Sequence, residues 1–138
     1  MAERVVCLDI GAVRIGVALS DPLGMFAQGV AVWSAKKKWK LELDALMEQY
    51  GVSVLLVGLP IRTDGSQGPE AKRILDMAGA LQERYPSVEV RTWDERFSTV
   101  TAHQNLKERG LSEEKRRGVV DKTAAAVILQ SYLDAAKH

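Results

Sequence analysis

Val5-Val6-Cys7-Leu8-Asp9-Ile10-Gly11-Ala12-Val13-Arg14-Ile15-Gly16-Val17-Ala18-Leu19-Ser20 decides the fold of this chain. Two apolar runs flank a short glycine-containing turn, which predicts a β-hairpin. The first run is apolar throughout except for Asp9 near its end. Taking an unpaired carboxylate out of water costs several kcal/mol even after relaxation. A strand keeps such a residue only if a cation meets it or if it holds a proton. After Arg4 the run carries no Lys or Arg, so a metal ion is the leading candidate to meet Asp9.

Outward from the hairpin, Asp21-Pro22 and Gly24 mark a second turn, and residues 26–33 read as a third strand. Three successive strands imply an antiparallel meander. From about residue 38 the period changes: Trp39, Leu43, Leu46, Met47 and Tyr50 form an amphipathic helical stripe, with Gly51 as its stop. Residues 52–59 are apolar almost throughout, as in a parallel strand covered on both faces. A polar loop over 60–68 precedes Pro69, a favourable first helical residue, and Ile74, Leu75, Ala78, Leu81 and Tyr85 continue one face. Residues 88–93 predict a fifth strand that ends at Asp94-Glu95. Ser98 or Thr99 would cap a helix running to Gly110, and a charged stretch, 112–117, leads to a last helix over about 121–136. The expected architecture is α/β: a mixed five-stranded sheet, a three-strand meander followed by β-α-β units, with helices on both faces. Strands one, four and five should be parallel.

Bulk properties narrow the function classes. The chain has 138 residues, enough for one domain with a real core. Nineteen basic against eighteen acidic residues exclude a strongly basic nucleic-acid coat but not local basic patches. Cys7 is the single cysteine, so a disulfide framework and a cysteine-based zinc site are excluded. The start, Met1-Ala2-Glu3-Arg4, has no apolar signal region, and no apolar run reaches bilayer-spanning length. A soluble protein of a reducing compartment, with no membrane partner, is expected.

Parallel strands place their C-terminal ends along one sheet edge, where open α/β sheets bind ligands. Asp9 ends strand one and Glu95 follows strand five, with Asp94 its near rival. Gly58-Leu59-Pro60 would supply a tight turn beside them. Asp121 shares a helical face with Ala125, Ile128, Tyr132 and Ala136, so it should point inward from the first turn of the last helix. Three inward carboxylates repel unless one is protonated or a cation lies among them. Mg²⁺ or Mn²⁺, as one or two ions, suits carboxylate oxygen, and a metal pair activates water for phosphodiester hydrolysis. Arg14, from the hairpin turn, suits a phosphate or a salt bridge to Asp9 or Glu95. Lys115, Arg116, Arg117 and Lys122 cluster next to Asp121, either as backbone-phosphate contacts or as a solvated surface. Lys36, Lys37, Lys38 and Lys40 form a second basic run, read as a solvated face. The glycine-containing loop that holds Arg62 should be mobile, either closing over a substrate strand or remaining a plain connection. His103 and the tryptophans Trp33, Trp39 and Trp93 read as structural.

At these residues the chain resembles the YqgF family, also called RuvX, of pre-16S rRNA nucleases and Holliday-junction-resolvase-like proteins. Asp9 to Asp21 is similar to the family's opening D-x-G-x-x-R-x-G-x-A-x-S-D. Val57-Gly58-Leu59-Pro60 with Asp64-Gly65-Ser66 and Gly68-Pro69 resembles its second motif. Asp94-Glu95-Arg96-Phe97-Ser98-Thr99 resembles its D-E-R-x-[ST]-T, and Asp121-Lys122-Thr123-Ala124-Ala125 its closing segment. The motifs cover nearly the full length in the family's order. The resemblance implies an RNase H-like fold over residues 1–138 as one nuclease domain. It also implies a metal-bound acidic triad at Asp9, Glu95 and Asp121 and a cytoplasmic role in ribosomal RNA maturation. Precursor rRNA is the favoured partner and branched DNA the alternative; a monomer and a homodimer both remain open. Arg62 stands where the family often has Asn, and Ala12-Val13 replaces a more polar pair, departures that bear on substrate contact. Two other classes compete. One is an actin-like ATPase or sugar kinase, which needs a second domain that 138 residues cannot hold. The other is a module that binds nucleic acid or a ribosome-assembly partner without cutting.

Overall fold

The structure, a computed structural model, describes residues 3–97 and 113–136, with the backbone path alone for Phe97 and residues 113–123. The opening hairpin forms as its apolar runs require. Strand β1 (Val5–Ile10) pairs antiparallel with β2 (Arg14–Ser20), which pairs antiparallel with β3 (Ala27–Ser34). The chain then crosses through helix α1 (Trp39–Tyr50) to β4 (Val54–Leu59), and through α2 (Pro69–Arg84) to β5 (Glu89–Asp94). Glu95–Phe97 make one 3-10 turn, and α3 spans Glu113–Ala136. The sheet order is β3-β2-β1-β4-β5, with β1, β4 and β5 mutually parallel.

Period-two alternation divides the core between the two sheet faces. On β1, Val6 and Leu8 face α1 and α2, where they join Leu55, Val57, Leu43 and Ile74. Val5 and Cys7 face α3, with Leu56, Ala125, Ile128 and Leu129. The one buried polar side chain among the described residues, Ser20, accepts a 2.8 Å hydrogen bond from the Val5 N–H. Gly51 ends α1 in the left-handed conformation at φ 57°, where a side chain would be strained. Trp39 lies in the core and Trp33 packs against it; Trp93 meets the Tyr132 ring edge-on at 5.3 Å and donates to Ser131.

Two expectations are corrected. The last helix begins at Glu113, eight residues before 121, so Asp121 lies inside α3 rather than in its first turn. Lys115, Arg116 and Arg117 likewise belong to the helix and do not precede it. The charged segment has no apolar stripe to announce a helix, and the strong stripe begins only at Ala124. Gly58 and Leu59 close β4, in keeping with the strand expected over 52–59, and do not form the turn expected of Gly58-Leu59-Pro60. The helix expected to run from Ser98 or Thr99 to Gly110, with His103, lies outside the described residues.

Candidate active site at the carboxyl edge of the sheet

Strand alternation that sends Val5 and Cys7 toward α3 sends Asp9 the same way. On β4, Leu56 faces α3, so Gly58 does too. On β5 the alternation continues through Trp93 to Glu95, the first residue of the 3-10 turn. Asp9, Gly58 and Glu95 therefore stand side by side at the C-terminal ends of three adjacent parallel strands. The middle position has no side chain. A Cβ at Gly58 would lie 2.6 Å from Glu95 Oε1 and 3.1 Å from Ile128 Cδ1. That empty column lets Glu95 reach across β4 to Asp9. Glycine inside a strand marks a close approach, and this was the available sequence signal for Gly58.

The two carboxyls are joined by a side-chain hydrogen bond, which requires a proton between them. Burial, then the contact with Asp9 and the charges of Asp9 and Asp94, push the Glu95 carboxyl up to about 8. Cys7, directly beneath, is raised by burial first and then by the charges of Asp9 and Glu95. The site is thus an acidic, half-dry pair that holds a proton where like charges would otherwise collide.

Asp94 and Glu95 are separated by geometry. Asp94 turns to the opposite side, where its carboxylate pairs with Arg96 at 2.7 Å and accepts the Arg96 backbone N–H at 2.9 Å. Those contacts hold Asp94 below the usual carboxylate range, with the Arg96 side chain contributing most. Asp121 sits one helical turn before Ala125 and two before Ile128, the residue that walls the Gly58 column. Its side chain, with those of Lys115, Arg116, Arg117 and Lys122, lies outside the described residues. Among the described residues no set of three His, Cys, Asp or Glu able to hold a metal is found. The pair itself suits a hard cation: two carboxyl groups converge in a space kept open by glycine, and the proton between them occupies the place of a positive charge.

Arg14 opens β2 at the same edge, and its carbonyl accepts the Gly11 N–H at 2.9 Å. A Cβ at Gly11 would lie 2.8 Å from that oxygen, so glycine allows the turn to close. The loop after β4 carries hydrogen bonds of its own. Arg62 N–H donates to Ser66 O, Gly65 N–H to Arg62 O, and Asp64 caps Ser66 through both its N–H and its hydroxyl. The exposed Arg62 guanidinium lies over Gly68, where a Cβ would sit 2.6 Å from it. Arg62 and Arg14 thus belong to the same edge as the carboxyl pair.

A family model described as RuvX, Holliday junction resolvase, matches residues 3–135. A relative from Halothermothrix orenii is 46% identical over 133 residues, covering 95% of this chain and 94% of its own. One from Acetivibrio thermocellus is 40% identical over 134 residues, covering 95% of each. Both carry the name "Putative pre-16S rRNA nuclease". Among solved structures, the Fowlpox virus resolvase bound to Holliday junction DNA superposes with a TM-score of 0.58 at 12% identity, covering 98% and 99% of the two chains. Thermus thermophilus RuvC with a Holliday junction gives 0.56 at 14% identity, covering 97% and 96%. Those two likenesses establish the shared fold.

Proposed function

The chain belongs to the RuvX family, and from that premise we propose that it is a nuclease whose cutting centre is the Asp9–Glu95 pair, completed by Asp121. The observation that carries this reading is the meeting of the two carboxyls over Gly58 at the carboxyl edge of the sheet. Asp9, Glu95 and Asp121 would hold Mg²⁺ or Mn²⁺. When bound, the ion supplies a water nucleophile at neutral pH and charge stabilisation for the leaving oxygen. Asp9 and Glu95 would serve as oxygen ligands once their shared proton is released to solvent. Gly58 keeps the space between them clear, and Ile128 closes its floor. Arg14 and Arg62 orient the phosphate, since a planar guanidinium matches phosphate oxygens bidentately. Lys115, Arg116, Arg117 and Lys122 would meet the backbone further along.

The substrate is nucleic acid, with the precursor of 16S rRNA favoured by the relatives' names and the cytoplasm as the place of action. Four-way DNA is the second reading, favoured by the family description. Cleavage of a precursor 16S rRNA fragment and of a four-way DNA junction, each across a Mg²⁺ and Mn²⁺ titration, separates them. The expected result is metal-dependent cutting of the RNA at far lower enzyme concentration than the junction. The reverse order selects the resolvase reading, and metal-independent cutting overturns the proposed centre.

A further inference from the structure

The basic run Lys36-Lys37-Lys38, with Lys40, is placed by the sheet topology on the cutting edge. Strand β3 is antiparallel to β2, which is antiparallel to β1, so β3 and β1 point the same way. Ser34, the last residue of β3, pairs with Arg14, and the Ala35 N–H donates to Val13 O at 2.8 Å. The lysines therefore leave the sheet on the edge that carries Asp9, Gly58 and Glu95. Lys36, Lys37 and Lys38 are exposed, and among the described residues none of them makes an ion pair. On the α1–α2 side of the sheet, opposite the face that carries the carboxyl pair, Lys37, Lys38, Trp39, Lys40, Leu41 and Arg84 line an open cavity of about 520 Å³. Its basic wall is partly fixed: Lys40 lies 5.7 Å over the Trp39 ring, and Arg84 is held by Asp44 at 2.5 Å.

This arrangement works against folding. Lys38 caps α1 with no side-chain hydrogen bond, and Glu42 is the one acidic residue in the first turn. Positive side chains at the positive end of a helix dipole are unfavourable, and neighbouring like charges repel one another. A polyanion laid along the run relieves both costs.

We propose that Lys36, Lys37 and Lys38 bind the phosphate backbone of the nucleic-acid substrate away from the scissile bond, a second contact that rests on the nuclease reading above. The strand order fixes the span. From β3 to β1 is two strand spacings and to β5 four, or roughly 10 to 19 Å. At the roughly 3.4 Å per nucleotide of a strand in duplex DNA, that in-sheet span corresponds to phosphates about three to six nucleotides from the cut.

The test uses the full chain with Lys36→Gln, Lys37→Gln and Lys38→Gln combined, made both alone and in an Asp9→Asn background that leaves substrate intact. Two precursor 16S rRNA fragments serve as probes, one extending at least ten nucleotides on each side of the cut and one trimmed to two; a long-armed four-way DNA junction is the third. On the long RNA the triple variant should bind at least ten-fold more weakly at moderate salt. The slope of log Kd against log salt should fall by roughly two to three, one counterion-release increment per lost contact. Cleavage should lose its efficiency through KM, and on the trimmed RNA the two proteins should not differ. The melting temperature of the variant should hold or rise. An unchanged Kd and salt slope on the long RNA, or a loss that persists on the trimmed one, overturns the second contact while leaving the cutting centre standing. The same loss on the junction alone assigns the lysines to branched DNA and overturns the RNA contact. If the protein with all lysines intact binds none of the three probes, the nuclease reading itself fails and takes this contact with it.

Discussion

The carboxyl groups of Asp9 and Glu95 meet in a side-chain hydrogen bond although β4 separates the strands that carry them, because Gly58 leaves the column between them open. Gly58→Ala tests that spacing. Its Cβ would press on Glu95 Oε1 and Ile128 Cδ1, so the pair must part. Overpacking of this kind costs about 1–3 kcal/mol of stability. Misplacing a reacting group by about an ångström costs roughly 10²-fold in rate. Single-turnover cleavage and thermal unfolding of Gly58→Ala should show both, and a fully active variant would show that the spacing is idle.

The shared proton sets a pH dependence in the metal-free protein. Glu95 holds its proton up to about 8 in the fold, against an ordinary value of 4.5. Between those values the folded state binds more protons than the unfolded one, so stability falls as pH rises. The contribution is complete below 4.5 and is lost as pH climbs through about 8. In EDTA the melting temperature should therefore decline across that window relative to Glu95→Gln, whose amide has no proton to lose. Parallel curves for the two proteins would contradict the shared proton.

Asp94 and Glu95 should separate cleanly on substitution. Asp94→Asn breaks the pair with Arg96 but leaves Asp9 and Glu95 in contact. It should retain metal-dependent cleavage, while Glu95→Gln loses it. Equal loss in both, with both folded by circular dichroism, would assign Asp94 a place at the metal.

Arg62→Ala removes an exposed guanidinium that lies over Gly68 at the start of α2. A hydrogen bond to a charged group contributes about 1.5–3 kcal/mol, so KM should rise roughly ten- to a hundred-fold. Because Arg62 is exposed, thermal stability should barely move. A loss of stability with KM unchanged would make Arg62 a brace for its loop rather than a substrate contact.

Much of this was legible in the residues. Asp9 stood out because a strand's alternation makes a carboxylate among Val5, Cys7 and Leu8 conspicuous, and the parallel β1-β4-β5 set follows from the crossovers. Gly58 falls within the apolar run 52–59 that reads as a strand, although Gly-Leu-Pro also looks like a turn locally. Its value lies in what the neighbouring strands bring alongside, which single-strand patterns do not carry. Asp94 and Glu95 were adjacent rivals until the 3-10 turn at Glu95 sent them to opposite sides. The start of α3 lies eight residues before the expected one because 113–117 are charged and only Gly118, Val119 and Val120 follow before Asp121, so no sustained apolar period marks the segment as helix. The lysines after β3 read as bland surface until the meander placed them on the carboxyl edge.

The most direct measurement is calorimetric titration of the metal-free protein with Mn²⁺ at pH 7, repeated in buffers of different ionisation enthalpy. Metal binding to protonated ligands releases protons. At pH 7 Glu95, titrating near 8, should yield about one proton per site filled. Glu95→Gln should bind more weakly and release almost none. Tight Mn²⁺ binding with no buffer dependence, or an identical release from Glu95→Gln, would contradict a metal centre built on the Asp9–Glu95 pair.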